Sequence, residues 1–435
     1  MKLNRMTVAA ALALAGTGFA ASASAQAPEQ FVPLLSYRTG QFAPLGIPWA
    51  DGKLDYLKLV NAKGGVNGVK LTYEECETAY DTSRGVECYE RLKGKGGGAA
   101  GFDTQSTGIT FAVSEKAPID KIPVVTPGYG LSQSVDGKVF EWNFPLLGTY
   151  WTAADSIVQD ILKKEKGNLK GKKIALIYHD SPYGKEPIPL LQKRAEKEGF
   201  ALSLLPVTAP GVEQKATWLQ VRQNRPDYVI LWSAGVMTPT AIREAQATGF
   251  AREKIYGVWW AGSDHDVKGI EGAKGYNTVT IHNTAERDKV HDEVKAMLYD
   301  KGQGSASDAK ELGALAHTRG MVIAMLQVES IRTAQEKYGK GKPMTPEQVR
   351  WGLENLNLTQ ERLNELGFGK VLRPVKTSCD NHLGTDYQRI AQWDGAKWNV
   401  VSDWYQADKS LIDPLVKEYA ERYAKDKNIK PRACN

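Results

Sequence analysis

Asp264-His265-Asp266 is the local cluster whose residue types could bind a metal ion, because carboxylates and imidazole are common metal ligands. No further ligand stands at a suitable spacing, so we interpret the cluster as a solvated loop. The chain also contains no Gly-x-Ser-x-Gly elbow, no His-Glu-x-x-His pair and no P-loop. A hydrolase would need a nucleophile and a base that the sequence does not offer. We therefore expect no catalytic residue, no metal and no cofactor.

The four cysteines fit an oxidising compartment, where disulfides persist. Four cysteines allow three pairings, and the sequence alone does not choose among them. We favour the local pairs Cys76–Cys88 and Cys379–Cys434, the second of which would pin the C-terminal tail. A zinc site is the competing interpretation, but there is no Cys-x-x-Cys spacing and histidine is scarce.

The first 25 residues have the three parts of a secretory signal peptide. Lys2 and Arg5 form a short positive region, residues 6–21 are apolar, and Ala23-Ser24-Ala25 is a small-x-small cleavage pattern. A membrane anchor is the alternative, but the apolar run is short for crossing a bilayer. We predict cleavage after Ala25 and a periplasmic mature protein.

Charge and length narrow the class of protein further. Removing residues 1–25 takes away two basic residues, so the formal charge falls from +6 to +4. The basic residues are spread among acidic ones, which does not indicate nucleic-acid binding. The roughly 410 residues that remain are enough for two hydrophobic cores.

The rest of the chain alternates between apolar, β-rich runs and longer amphipathic stretches. Such alternation predicts an α/β fold with parallel sheets covered by helices on both faces. The runs predicted as strands are 31–37, 69–73, 122–125, 173–178, 228–232 and 255–260, and those predicted as helices are 49–63, 81–93, 187–199 and 239–248. In such sheets ligands bind beyond the carboxyl ends of the strands. This rule selects the loops that begin at Thr39, Gln105, Thr126, Tyr183, Ser233 and Ala261.

Three motifs occur in order along most of the chain. They are LVNAKGGVNG at residues 59–68, YHDSPYG at residues 178–184 and DGAKW at residues 394–398. With these motifs the chain from about residue 31 to 404 resembles the type I periplasmic binding proteins of ABC transporters, specifically the branched-chain amino-acid receptors. Each motif is weak alone, and their correct order carries the resemblance.

The resemblance implies two doubly wound parallel-sheet lobes joined by three crossovers. The N-terminal lobe would hold residues 26–145 and 284–376, and the C-terminal lobe residues 146–283 and 377–435. A solute would be enclosed between the lobes by hinge closure. The implied partners are a small-molecule solute and a membrane ABC permease complex, and we expect a monomer.

The loop at Gln105, Ser106 and Thr107 resembles the Ser/Thr loop that holds the ligand carboxylate in that family. Hydroxyl groups and backbone N–H groups at a helix start can bind an anion without a buried countercharge. The alternative is a helix cap that serves only its own backbone.

Four further residues are assigned to the site by the resemblance. Gly128 and Tyr129 lie in the loop that normally supplies a carbonyl and a threonine to the ligand ammonium, with Gly130 in the place of that threonine. Tyr183 matches an aromatic residue that closes over the ligand, or it packs the cleft wall. Ser233 lies where the second lobe usually has an aromatic residue.

Trp260 marks a departure from the family pattern, because Trp259 and Trp260 lie where the family places an acid that pairs with the ligand amino group. A cation enclosed in a dry cleft needs a countercharge or a full set of acceptors. Trp260 and Tyr129 could instead stack on a ring, unless both tryptophans are ordinary core residues. Asp264 or Asp266 could also replace the lost acid. The ligand is therefore a branched-chain-type amino acid or an aromatic or aliphatic carboxylate.

The sequence favours a substrate-binding protein of an ABC importer. The first alternative is a sensor that delivers the same solute class to a membrane signalling partner. A secreted hydrolase is the weakest alternative, for want of catalytic residues.

Overall fold

The structure is a computed structural model that describes residues 28–283 and 287–434. The predicted signal peptide, residues 1–25, lies outside the described residues. No helix in the described ranges is long and apolar enough to cross a membrane.

The chain forms an α/β structure with fourteen strands in its described part. The strands are β1 Glu29–Ser36, β2 Lys70–Glu77, β3 Val124–Val125, β4 Asn143–Phe144, β5 Lys173–His179, β6 Ala201–Val207, β7 Tyr228–Trp232, β8 Ile255–Gly257, β9 Asn277–Thr280, β10 Asn357–Leu358, β11 Val375–Lys376, β12 Tyr387–Trp393, β13 Trp398–Val400 and β14 Tyr405–Gln406.

The helices separate most of these strands. They are α1 Ala43–Ala62, α2 Thr82–Leu92, α3 Thr107–Ser114, α4 Ala117–Asp120, α5 Tyr150–Lys164, α6 Pro182–Lys185, α7 Ile188–Glu198, α8 Lys215–Asn224, α9 Met237–Ala247, α10 Asp264–Val267, α11 Lys289–Met297, α12 Leu315–Tyr338, α13 Pro346–Glu354, α14 Gln360–Leu366 and α15 Lys409–Asp426.

The larger sheet has the strand order β13-β12-β9-β8-β7-β5-β6, with β14 also paired to β12. Strands β5 to β9 run parallel, and β12 runs antiparallel to β9 and to β13. All five residues of Tyr228–Trp232 are buried, as expected for a parallel strand covered on both faces. The parallel α/β prediction is confirmed, and the antiparallel hairpin at one edge includes the DGAKW motif.

The smaller sheet is built from the first four strands. β1 is parallel to β2, and β3 is parallel to β4. The segment 99–102 joins the two pairs, because the amide of Ala100 donates to the carbonyl of Phe31 at 3.1 Å and that of Phe102 to Pro123 at 2.9 Å. The carboxyl ends of both sheets face a common region. The lobe boundaries at residues 145, 283 and 376 stay a prediction.

Several predicted boundaries were wrong, and two of them bear on the residues around the cavity. Helix α1 begins at Ala43, six residues before the predicted start, because Pro44 and Pro48 obscured a helix that tolerates proline near its beginning. Strand β8 ends at Gly257 and does not run to Trp260. Residues Trp259–Ala261 form a 3₁₀ turn, closed by the amide of Ala261 donating to the carbonyl of Val258 at 2.8 Å.

Both favoured disulfides are present. Cys76 is bonded to Cys88 across 12 residues of sequence, and Cys379 is bonded to Cys434 across 55 residues. The second bond fastens the C-terminal tail, which follows α15.

Candidate ligand cleft

An enclosed cavity lies at the carboxyl ends of the strands of both sheets. Its volume is about 20 Å³, room for roughly one water molecule, so a solute can enter only if the walls of the cleft move apart. The lining residues are Tyr37, Phe42, Leu45, Trp49, Tyr80, Gln105, Ser106, Thr107, Tyr129, Tyr150, Tyr183, Ala234 and Trp260. Most of them are aromatic, and none carries a charge. The lining therefore favours an apolar body with few polar groups.

The cavity brings together six of the eight residues selected from the sequence. These are Gln105, Ser106, Thr107, Tyr129, Tyr183 and Trp260. Gly128 and Ser233 lie next to the cavity but do not line it. The hydroxyl of Ser233 bonds to that of Thr238 at 2.9 Å, and Ala234 takes its place in the lining.

Several lining residues were missed, although some obey the rule that selected the others. Tyr37 directly follows β1, and Tyr80 follows β2, so both lie beyond the carboxyl ends of strands. Tyr150 opens the helix after β4. Trp49 is different, because it reaches the cavity from within helix α1, and no rule about strand ends would find it.

The loop before helix α3 carries the polar groups of the cavity. Ser106 caps this helix, and its Oγ accepts the amide of Ile109 at 3.4 Å. The helix-cap interpretation therefore holds for Ser106. The hydroxyl of Thr107 is buried and has no hydrogen-bond partner within residues 28–283 and 287–434. It lies beside the hydroxyl of Tyr150, to which it can donate, and at a helix N-terminus it is also suited to an anionic group.

A buried ion pair holds that loop in place. The Nζ of Lys53 lies 2.7 Å from Oδ2 of Asp103, and both side chains are within 1% of full burial. The hydroxyl of Tyr129 donates to the other oxygen of Asp103 and accepts the amide of Gln105 at 2.9 Å. Burial, and then the nearby Asp103 carboxylate, raise the pKa of Tyr129 well above its usual value, so the hydroxyl stays a donor. The network fixes Gln105 at φ +54°, a conformation that non-glycine residues rarely adopt.

The carbonyl of Gly128 is already occupied. The indole nitrogens of Trp259 and Trp260 both donate to it, at 2.6 Å and 3.0 Å. A carbonyl oxygen has two lone pairs, so this group has no ready acceptor left for a ligand ammonium. Glycine is needed here, because φ is +80° and a Cβ would lie 3.2 Å from the ring of Trp259.

Trp260 lies between several groups at the cavity wall. Its ring stacks on that of Trp49, with centroids 4.7 Å apart and planes 14° apart. The guanidinium of Arg319 lies over the same indole, 4.6 Å from its centroid. Tyr183 forms another part of the wall, and its hydroxyl donates to the carbonyl of Ser233 at 2.8 Å.

The acids considered as replacements for the family's ammonium partner do not line the cavity. Asp264 accepts the amide of Leu315 at 3.1 Å. Asp266 accepts both the amide and the hydroxyl of Ser263, and burial raises its pKa to about 7. No group of three or more metal-binding side chains occurs in the part of the chain that the structure describes.

The chain is similar in sequence and in structure to known binding proteins. The family model described as periplasmic binding protein matches residues 29–397. A solved structure from the Pseudomonas fluorescens group, described as an ABC transporter permease, has a TM-score of 0.87 and 42% identity, covering 94% of this chain and 100% of that one. The Leu/Ile/Val-binding protein homolog 8 of Brucella suis is 25% identical over 286 residues, which are 64% of this chain and 69% of the relative.

More distant structures share the fold. A branched chain amino acid ABC transporter from Thermus thermophilus with bound valine has a TM-score of 0.71 at 19% identity, covering 89% of this chain and 98% of that one. Two α/β units with an enclosed cavity at the strand ends define a type I solute-binding protein, a class that binds its ligand and performs no chemistry on it. The chain belongs to the periplasmic binding protein family.

Proposed function

We propose that this protein is the periplasmic substrate-binding protein of an ABC importer, and that its solute is a small carboxylate without an α-amino group. It would deliver this solute, as a monomer, to a membrane permease complex. The observation that carries the ligand class is the double occupation of the Gly128 carbonyl by Trp259 and Trp260.

An ammonium group would find no countercharge in this cavity, although the unpaired Oε1 of Gln105 could accept one hydrogen bond. None of the lining residues is acidic, and the backbone acceptor expected for an amino group is used by two indoles. Enclosing a cation without acceptors or a countercharge costs several kcal/mol, on the order of the whole affinity of a weak ligand. The cavity therefore disfavours zwitterionic amino acids.

The cavity offers better hydrogen-bond donors to a carboxylate group than acceptors to an ammonium group. The Thr107 hydroxyl is buried without a partner among the described residues, at the N-terminus of an eight-residue helix. Hydrogen bonds from such groups to an anion are stronger than those between neutral groups. The aromatic lining would enclose the apolar remainder of the ligand.

Other proteins of this fold are consistent with such a ligand. A solute-binding protein from R. palustris in complex with benzoate has a TM-score of 0.67 at 15% identity. A fatty acid ABC transporter substrate-binding protein from Thermomonospora curvata has a TM-score of 0.72 at 18% identity. At these identities they support only the statement that the fold accommodates carboxylates that lack an amino group.

A thermal-shift screen of residues 26–435 tests the proposal. The panel contains leucine, valine and phenylalanine together with benzoate, 3-phenylpropanoate and hexanoate. A ligand that binds the folded protein raises the melting temperature as its concentration rises. We expect a rise with one or more of the carboxylates and none with the amino acids. A rise with the amino acids alone would overturn the proposed ligand class.

A further inference from the structure

Arg319 is a buried cation that adjoins the cavity. It lies in α12, its side chain is 1% exposed, and its guanidinium lies 4.6 Å from the ring centroid of Trp260, which lines the cavity. Tyr37 and Tyr150, two other lining residues, are close enough for their charge state to affect its pKa. Arg319 is therefore placed to act on a charge inside the cavity, although it does not line the cavity itself.

Most of the hydrogen-bonding capacity of Arg319 is unused. Its Nη1 donates to the carbonyl of Trp259 at 2.9 Å. Its Nε and Nη2 have no hydrogen-bond partner among the residues that the structure describes. A guanidinium has five N–H donors, and burying a charge without partners is costly. Such a group is retained where function requires it or where a ligand compensates it.

The other fully buried basic side chains show what a structural cation looks like in this protein. Lys53 pairs with Asp103 at 2.7 Å, and Arg194 donates its Nε to Asp155 at 2.7 Å. Both are thus neutralised by a carboxylate in direct contact. The single hydrogen bond of Arg319 is to a neutral carbonyl.

At neutral pH the titratable groups around Arg319 cancel its charge only in part. Burial lowers its pKa to about 10, so it stays protonated at neutral pH. Burial, and then Arg319 itself, lower the pKa of His282 to about 3, so that histidine is neutral. The acid that interacts with Arg319 is Asp266, whose buried carboxyl has a pKa raised to about 7 and is hydrogen-bonded to Ser263.

We propose that Arg319 is the residue that makes the closed cleft select anions. Its charge stabilises a ligand carboxylate and opposes an ammonium group, without touching the ligand. This inference rests on the proposed function. Charges interact over several ångströms in a site from which water is excluded. Because Arg319 lies over the ring of Trp260 and does not itself line the cavity, the preference is for negative charge and not for one ligand geometry.

The test compares each carboxylate with its neutral primary amide in wild type, Arg319→Met and Arg319→Lys. The probes are benzoate, 3-phenylpropanoate and hexanoate, with benzamide, 3-phenylpropanamide and hexanamide. Calorimetry gives the ratio of the amide Kd to the carboxylate Kd. We expect Arg319→Met to reduce this ratio about tenfold or more, and Arg319→Lys to keep most of it. Arg332→Met, on the same helix but paired with Glu329 at 3.0 Å, is the control and should leave the ratio unchanged.

The outcomes separate the two proposals. If carboxylates bind but the ratio in Arg319→Met stays within twofold of wild type, the inference about Arg319 is wrong and the proposed function stands. Equal weakening of amide and carboxylate would mean a merely structural role and would also overturn it. If no carboxylate binds to wild type, the proposed function fails and the inference fails with it.

Discussion

The buried arginine at the cleft and the half-buried arginine on the face fastened by the C-terminal tail differ in their partners. On the tail face, the Nε of Arg432 donates to the carbonyl of Gly137 at 2.9 Å, and its Nη2 contacts Cys379 and Glu354. At the cleft, Arg319 makes one hydrogen bond and leaves two nitrogens without a described partner. The charge of Arg432 is neutralised by a carboxylate in direct contact, whereas that of Arg319 is not.

The same contrast extends to the neighbouring groups. Near the tail, Nδ1 of His382 bonds to the carbonyl of Asn143 at 2.7 Å, and a disulfide closes the chain end. In the cleft, the hydroxyl of Thr107 and the Oε1 of Gln105 have no hydrogen-bond partner in the described ranges. Unsatisfied buried groups are rare in folded proteins and collect at functional sites. Unpaired atoms also occur near the tail, at Ser134 Oγ and Arg350 Nε, but those of Thr107 and Gln105 belong to residues that line the cavity at the strand ends.

The largest expected effect concerns the tail disulfide. Replacing Cys379 and Cys434 by serine should lower the free energy of unfolding by about 4 kcal/mol, because the bond closes a loop of 55 residues. The matched variant replaces Cys76 and Cys88, whose bond closes a loop of only 12 residues. Its free energy of unfolding should fall by about 3 kcal/mol. Denaturant unfolding checks both values. If the tail variant weakened ligand binding more than threefold, the tail face would not be purely structural.

The second expected effect is a loss of folding stability at acid pH, caused by a histidine on the tail face. Burial lowers the pKa of His382 to about 3, below its unfolded value near 6.5. The unfolded chain then binds the extra proton, so this contribution to stability is complete above pH 6.5 and is lost as pH falls towards 3. The free energy of unfolding should decline by about 1.4 kcal/mol per pH unit from this group.

A His382→Gln variant isolates that contribution. Its stability should fall less steeply than that of wild type between pH 6 and pH 4.5, whatever its stability at pH 7. His282 and His291, with pKa values lowered by burial to about 3 and about 4, should supply the slope that remains. Equal slopes in the variant and wild type would show that His382 titrates normally in the folded protein.

A smaller effect should appear in the cleft. Thr107→Val removes a hydroxyl that has no partner, so the free protein should be as stable as wild type or slightly more stable. Affinity for a bound carboxylate should fall about tenfold, since a hydrogen bond to a charged group is lost. Thr110→Val is the control, because that hydroxyl donates to the carbonyl of Ser106 at 2.8 Å. The Thr110→Val variant should be less stable than wild type and should bind the carboxylate as tightly as wild type does. Loss of affinity in Thr110→Val, with affinity kept in Thr107→Val, would contradict the proposed role of Thr107.

Much of the fold could be predicted because its signals are local. The run at residues 228–232 matches β7, and Asp81 caps α2 by accepting the amide of Arg84 at 2.9 Å. The end of β8 could not be predicted, because Trp259 and Trp260 have strand-like residue types. Their turn depends on contacts with Gly128 and Arg319, which are distant in sequence.

The residues of the candidate site also fall into some that local sequence could identify and others that it could not. Tyr183 follows β5, and Gln105 follows the segment 99–102 that bridges the smaller sheet, so the rule about strand ends selected both. Tyr80 was missed because β2 extends to Glu77, four residues past its predicted end. Arg319 lies in a helix whose residues are mostly buried, and nothing in its local sequence separates it from an exposed arginine. That its hydrogen bond goes to a neutral carbonyl, and not to a carboxylate, is a property of the tertiary structure.

Calorimetry with ligands that differ only in the α-amino group tests most directly whether the solute is a carboxylate without that group. The pairs are leucine with 4-methylpentanoate and phenylalanine with 3-phenylpropanoate, each titrated into the chain from Gln26 to Asn435. We expect at least one carboxylate to bind at least about ten times more tightly than its amino acid, because the Gly128 carbonyl is occupied. Binding of leucine or phenylalanine as tightly as its deaminated partner would contradict it.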